Sequence, residues 1–159
     1  MITNIILILW VLFLIAVPLL SIINLKSGKS FKFIDFEKIE IPYVTIDIQG
    51  YKLNMVVDTG CSVSLLSVPA IADYKIDYVE SGKSVDLSAI TSDKVTSNAV
   101  TITFEVFGKE VTEDFYLQDV EDFGNFQKMH GVVLHGLLGS SFFDANKCKI
   151  DFKNHCLLM

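Results

Sequence analysis

The sequence predicts a mainly β domain of small closed-barrel type, carried behind one N-terminal transmembrane helix. Three observations predict it: an uncharged apolar run near the N-terminus, an apolar/polar alternation that starts near residue 41 and recurs toward the C-terminus, and an apolar strand ending on Met55-Val56-Val57-Asp58-Thr59-Gly60. These patterns divide the 159 residues into an anchor at 1–25, a linker at 26–39 and a domain at 40–159.

Residues 5–23 carry no charge and are interrupted only by Pro18 and Ser21. At 1.5 Å per residue such a helix reaches about the 30 Å of a bilayer's hydrocarbon core. A cleaved signal peptide would show a basic start, a shorter apolar core and a small-residue cleavage site. Residues 1–4 hold no Lys or Arg, and no such site follows Ile23, so the reading is a single-pass anchor in contact with membrane lipid. Lys26, Lys29 and Lys32 follow the run and nothing basic precedes it, which places the domain on the cytoplasmic side. Three scattered cysteines, Cys61, Cys148 and Cys156, form no disulfide framework and agree with that side. Net charge is −6 and the sequence pI is about 4.9, without a basic patch beyond the juxtamembrane lysines, so nucleic acid is excluded as a partner.

Residues 27–37, polar with interspersed Phe31, Phe33 and Phe36, read as a linker settling onto the domain surface. Val44, Ile46 and Ile48 then alternate with polar residues, Gln49-Gly50 turns the chain, and Leu53, Met55 and Val57 resume the alternation. This is a hairpin whose second strand delivers Asp58. Residues 64–67 read as a short buried strand, and residues 69–74 as a helical turn with Pro69 near its start. Further strands are expected at 85–87, 99–107 and 109–117, with Phe107-Gly108-Lys109 as a tight connection. The stretch 116–130 reads as a long polar-aromatic connection.

Asp58 stands at the end of a rigid apolar element, from which acid-base chemistry can be done. Thr59 adds a hydroxyl, and Gly60 permits a tight turn close to a partner. An Asp-Thr-Gly triplet alone is also a common surface turn. Here Met55, Val56 and Val57 precede it, and Val63, Leu65 and Leu66 follow closely, an apolar bracketing rare at a hairpin tip.

With Gly136-Leu137-Leu138-Gly139 and the following Ser140-Ser141-Phe142-Phe143 as a second anchor, the chain from about residue 40 to 159 resembles the retropepsin-like aspartic proteases. The resemblance implies that Asp58, Thr59 and Gly60 are the catalytic triplet and that Leu137-Leu138-Gly139 crosses behind the active-site loop. It also implies that residues 140–146 form the short helix of an acid-protease barrel, and that residues 149–159 form a closing hairpin whose Cys156-Leu157-Leu158-Met159 adds an interface strand. By the same resemblance the interval 88–94 holds a substrate-covering flap with Ala89, Ile90 and Thr91 at its tip, the alternative being an ordinary hairpin loop; glycine, frequent in the family's flaps, is missing between Lys83 and Gly108.

Peptide hydrolysis by carboxylates needs a base for water and an acid for the carbonyl oxygen, and this chain offers a single Asp-Thr-Gly. The second carboxylate is therefore expected from another copy across a twofold axis, in a homodimer acting on a peptide or protein substrate. Shared anchorage in one membrane raises the effective concentration of the two copies. No cofactor and no metal is implied. Cys61 has no Cys/His signature beside it, and His130 and His135 lack the further ligands that a metal centre requires. The expected function is a membrane-anchored aspartic endopeptidase; the alternative is a proteolytically inactive retropepsin-like binding or dimerisation module, favoured by the unusual flap tip.

Overall fold

The computed structural model describes residues 29–88, 94–119 and 121–159. The predicted membrane span at 5–23 lies outside them, and no helix among the described residues is long and apolar enough to cross a membrane. Among the described residues, ten strands run in the order β1 (Ser30–Lys32), β2 (Tyr43–Ile48), β3 (Tyr51–Val57), β4 (Ser64–Leu66), β5 (Val79–Ser88), β6 (Lys94–Val106), β7 (Lys109–Leu117), β8 (Gly136–Leu138), β9 (Lys149–Asp151) and β10 (Cys156–Leu158). Four short helices join them: α1 (Phe36–Ile39), α2 (Val68–Tyr74), α3 (Glu121–His130) and α4 (Ser140–Ala145).

Seven strands form one sheet in the order β2-β3-β8-β4-β7-β6-β5, and three form a second in the order β1-β10-β9. The expected mainly β class is therefore found, but the expected closed barrel is not. β2 and β5 remain at opposite ends of the hydrogen-bonded order. The reason is local: β5 shifts register between Glu80 and Ser84, where Gly82 has a φ of 70°, and its start is open to solvent, with Val79 70% exposed. β2 instead packs against β6.

The predicted hairpin forms with Gln49 and Gly50 both at positive φ, and Phe107-Gly108 repeats that geometry between β6 and β7. Two left-handed residues in succession match the right-handed twist of the strands they join. Ser67 caps α2 by accepting the Ala70 N–H, with Pro69 in its first turn. Inward residues of both sheets, among them Ile46, Leu53, Met55, Ile102, Phe115, Leu138 and Leu157, are fully buried in one cluster with Phe142 of α4.

Three segments depart from expectation. Part of the expected linker is built into the fold: β1 pairs with β10, Phe33 is buried, and the Phe33 N–H bonds to the His155 carbonyl at 2.9 Å. Consequently β10, expected as an interface strand, has both edges taken within its own chain, by β1 and β9. The arms of the 79–106 hairpin are longer than the apolar pattern indicated, because polar residues are held in the ladder by side-chain bonds, Thr96 Oγ1 to Asp86 Oδ1 at 2.8 Å and Ser97 Oγ to the Leu117 carbonyl at 2.6 Å. Finally, the 116–130 connection contains helix α3, which buries Phe126 against Ile39, Tyr43 and Leu134.

Candidate active site

Strand β8 threads between the two strands that flank the Asp58 turn. It runs parallel to β3, with Met55 opposite Gly136 and Val57 opposite Leu138, and antiparallel to β4, with Leu65 opposite Leu137. Glycine at both ends makes this approach possible. A Cβ on Gly136 would stand 2.3 Å from the Leu65 carbonyl oxygen, and one on Gly139 would stand 2.2 Å from that of Val63. No side chain fits at either distance.

The threading fixes Asp58. Its N–H donates to the Leu138 carbonyl at 3.1 Å, and its Oδ1 accepts the Gly60 N–H at 2.8 Å. Helix α4 holds the rest of the turn: Ser140 Oγ donates to the Thr59 carbonyl at 3.0 Å, the Ser140 N–H to the Cys61 carbonyl at 2.9 Å, and the Ser141 N–H to the Ser62 carbonyl at 3.2 Å. Asp58 is half-buried, whereas Thr59 and Gly60 are exposed. The result is a carboxylate with a fixed backbone and one oriented oxygen on an open surface, a geometry suited to proton transfer.

Behind the turn stands a group that the sequence reading passed over. Glu113 on β7 is 6% exposed, and its Oε1 accepts from Ser64 Oγ at 2.7 Å and from Ser141 Oγ at 3.0 Å. Burial pushes its carboxyl above the ordinary range, and the two serine hydroxyls pull against that. The signal was present in the alternation of Val111, Glu113 and Phe115, which sets an acid on the buried face of its strand.

The arms of the expected flap pair from Val79 opposite Thr101 to Ser88 opposite Lys94, while Ala89, Ile90 and Thr91 lie outside the described residues. The histidines have other partners than Cys61. His135 Nδ1 accepts the Asn54 N–H at 3.0 Å and its Nε2 meets Tyr74 Oη at 3.1 Å; His130 stacks on Phe126, and His155 on Phe36. A cavity of about 250 Å³, bordered by Tyr74, Phe123 and His135, lies at the His135 end of β8.

A half-buried aspartate on a turn threaded by a hydrophobic-hydrophobic-Gly strand, with a long hairpin in the same sheet, defines a retropepsin-like fold. Solved structures similar to this chain are retropepsin-like aspartic proteases. EIAV protease, solved with an inhibitor, is 16% identical, with a TM-score of 0.52 over 75% of this chain and 98% of its own. The retropepsin-like aspartic protease from Rickettsia conorii is 19% identical, with a TM-score of 0.53 over 83% of this chain and 89% of its own. No protein-family model and no curated protein sequence matches the chain.

Proposed function

We propose that the domain is an aspartic endopeptidase that works as a homodimer, with Asp58 of each copy facing its mate across a twofold axis. The observation that carries this reading is the Asp58 turn: a half-buried carboxylate whose backbone is clamped by β8, with Thr59 and Gly60 left exposed where a second copy would meet them. Two carboxylates at such a contact share one proton. One takes a proton from the attacking water while the other donates to the substrate carbonyl, with no covalent intermediate. The exposed Thr59 residues bond across the axis and stiffen the pair. Since β10 is enclosed by β1 and β9, strand pairing between copies uses the outer edge of one of those two strands. The hairpin of β5 and β6, tipped by Ala89, Ile90 and Thr91, covers the bound peptide and excludes water. The 5–23 segment anchors the domain at the cytoplasmic face of a membrane and concentrates the copies there.

The test is incubation of the detergent-solubilised chain with a diverse peptide mixture from acidic to neutral pH, alongside Asp58→Asn. Cleavages made by the wild type and absent from the variant are expected. Their absence across the whole pH range overturns the reading. A cleavage rate that rises with the square of protein concentration at high dilution identifies the dimer as the active species.

A further inference from the structure

The buried polar atoms behind the Asp58 turn form one continuous chain. Glu113 Oε1 accepts from Ser64 Oγ, and Ser64 Oγ accepts the Gly139 N–H at 3.1 Å. That N–H belongs to the same peptide unit as the Leu138 carbonyl, which accepts the Asp58 N–H. One peptide plane thus ties the buried acid to the half-buried one. Through Ser141, Glu113 also holds the helix whose first residues bond to the Thr59, Cys61 and Ser62 carbonyls.

Hydrogen bonds to an ionised acceptor are stronger than neutral ones, and bonds in series polarise one another. A carboxylate is nevertheless a costly way to fill a core position, where an aliphatic residue of similar volume is often neutral or stabilising. The charged groups acting on Glu113 are Asp114 on its own strand and Lys83 on β5, and Lys83 is bonded to Asp114. Among the described residues, the hydrogen-bond partners of Glu113 are the two serines, and none is a cation. Its oxygen serves the turn and α4 instead.

Resting on the peptidase reading above, we propose that Glu113 is a positioning residue: by holding Ser64 and Ser141 it fixes the Leu138–Gly139 peptide, and with it the orientation of Asp58. Glu113 touches no substrate, so its loss lowers kcat and leaves KM nearly unchanged.

The test compares the full chain in detergent with Glu113→Leu and Glu113→Gln, reading amide hydrogen exchange by NMR, urea stability and peptide cleavage. Leu fills the site but accepts no hydrogen bond; Gln keeps an acceptor oxygen. Glu113→Leu is expected to keep overall stability while the Asp58 and Gly139 amides exchange about tenfold faster or more than in the wild type, amides of β2 and β3 staying protected. Its kcat falls by a similar factor, and Glu113→Gln recovers both quantities to within about threefold. Unchanged exchange at Asp58 and Gly139 in Glu113→Leu overturns the proposal, as does a loss of protection spread evenly over the domain. If Glu113→Leu fails to fold, Ser64→Ala cuts the same chain one link further on and is set against Glu113→Gln by the same criteria. A wild type that cleaves nothing removes the peptidase reading, and the exchange result still decides whether Glu113 orders the turn.

Discussion

The two ends of β8 solve the same packing problem and differ in what they leave exposed. At both, a glycine lets the strand pass within reach of a neighbouring backbone carbonyl, Leu65 at Gly136 and Val63 at Gly139. At the Gly136 end the polar groups close on themselves. The His135 N–H donates to the Asn54 carbonyl at 2.9 Å, its carbonyl accepts the Ser67 N–H at 2.8 Å, and its ring spans Asn54 and Tyr74. At the Gly139 end the buried network runs outward instead, from Glu113 through Ser64 to a turn whose aspartate is half-buried. One end is a satisfied polar core and the other a supported carboxylate at the surface. The difference lies in where the last polar atom of each chain points, since the backbone arrangement is shared.

The largest expected effect separates the ends by function. Asp58→Asn should lower peptide cleavage by about 10²–10⁴-fold with the urea midpoint unchanged. A His135 variant of wild-type stability that lost as much activity would erase the distinction. Next in size, Gly139→Ala and Gly136→Ala each drive a Cβ into a carbonyl oxygen that belongs to the sheet, and should each cost about 3 kcal/mol in urea unfolding. Near-equal losses would support a shared packing problem, and a tolerated alanine at either end would break it. His135→Leu, which strips the Asn54 N–H and Tyr74 hydroxyl of their partner, should cost about 1–3 kcal/mol by the same measurement.

The smallest effect is in the pH dependence, where the two ends should slope oppositely. Burial lowers the His135 pKa from 6.5, so the unfolded chain takes up a proton that the folded chain resists. Stability present above pH 6.5 is lost as pH falls through the lowered value. Burial raises the Glu113 pKa from 4.5, so the unfolded chain ionises first and stability declines as pH climbs from 4.5 to the raised value. Urea titrations from pH 4 to 8 on the wild type, His135→Leu and Glu113→Gln should show each variant losing one of the two slopes.

Strongly periodic segments were legible in the sequence. The hairpin of β2 and β3, the strand at 109–117 and the turn at Phe107-Gly108 all follow from alternation and turn chemistry. The framework of the candidate site was legible through the resemblance that Asp58-Thr59-Gly60 and Leu137-Leu138-Gly139 carry together. Less legible was α3, where Gly124 and Asn125 weaken helix propensity while Phe123 and Phe126 carry the helical spacing. β1 was obscured by its length, since three residues give alternation little room. Glu113 was missed for a different reason: its alternation with Val111 and Phe115 marks the buried face, but nothing near it in sequence shows the two distant serines that satisfy an acid there.

The pairing of β1 with β10 sets an order of events in synthesis. β1 is made early and its ladder partner, residues 156–158, lies more than a hundred residues downstream, as the contact from Lys32 to Asn154 shows with a separation of 122. Local pairs such as β2 with β3 close as soon as they emerge, whereas this ladder waits for the distal strand and carries a greater loop-closure cost. Until then Phe31 and Phe33 have only the core of the first sheet to pack on. The ladder between β1 and β10 therefore cannot close before residues 156–158 are made, and a chain cut before residue 156 leaves its first strand without a partner.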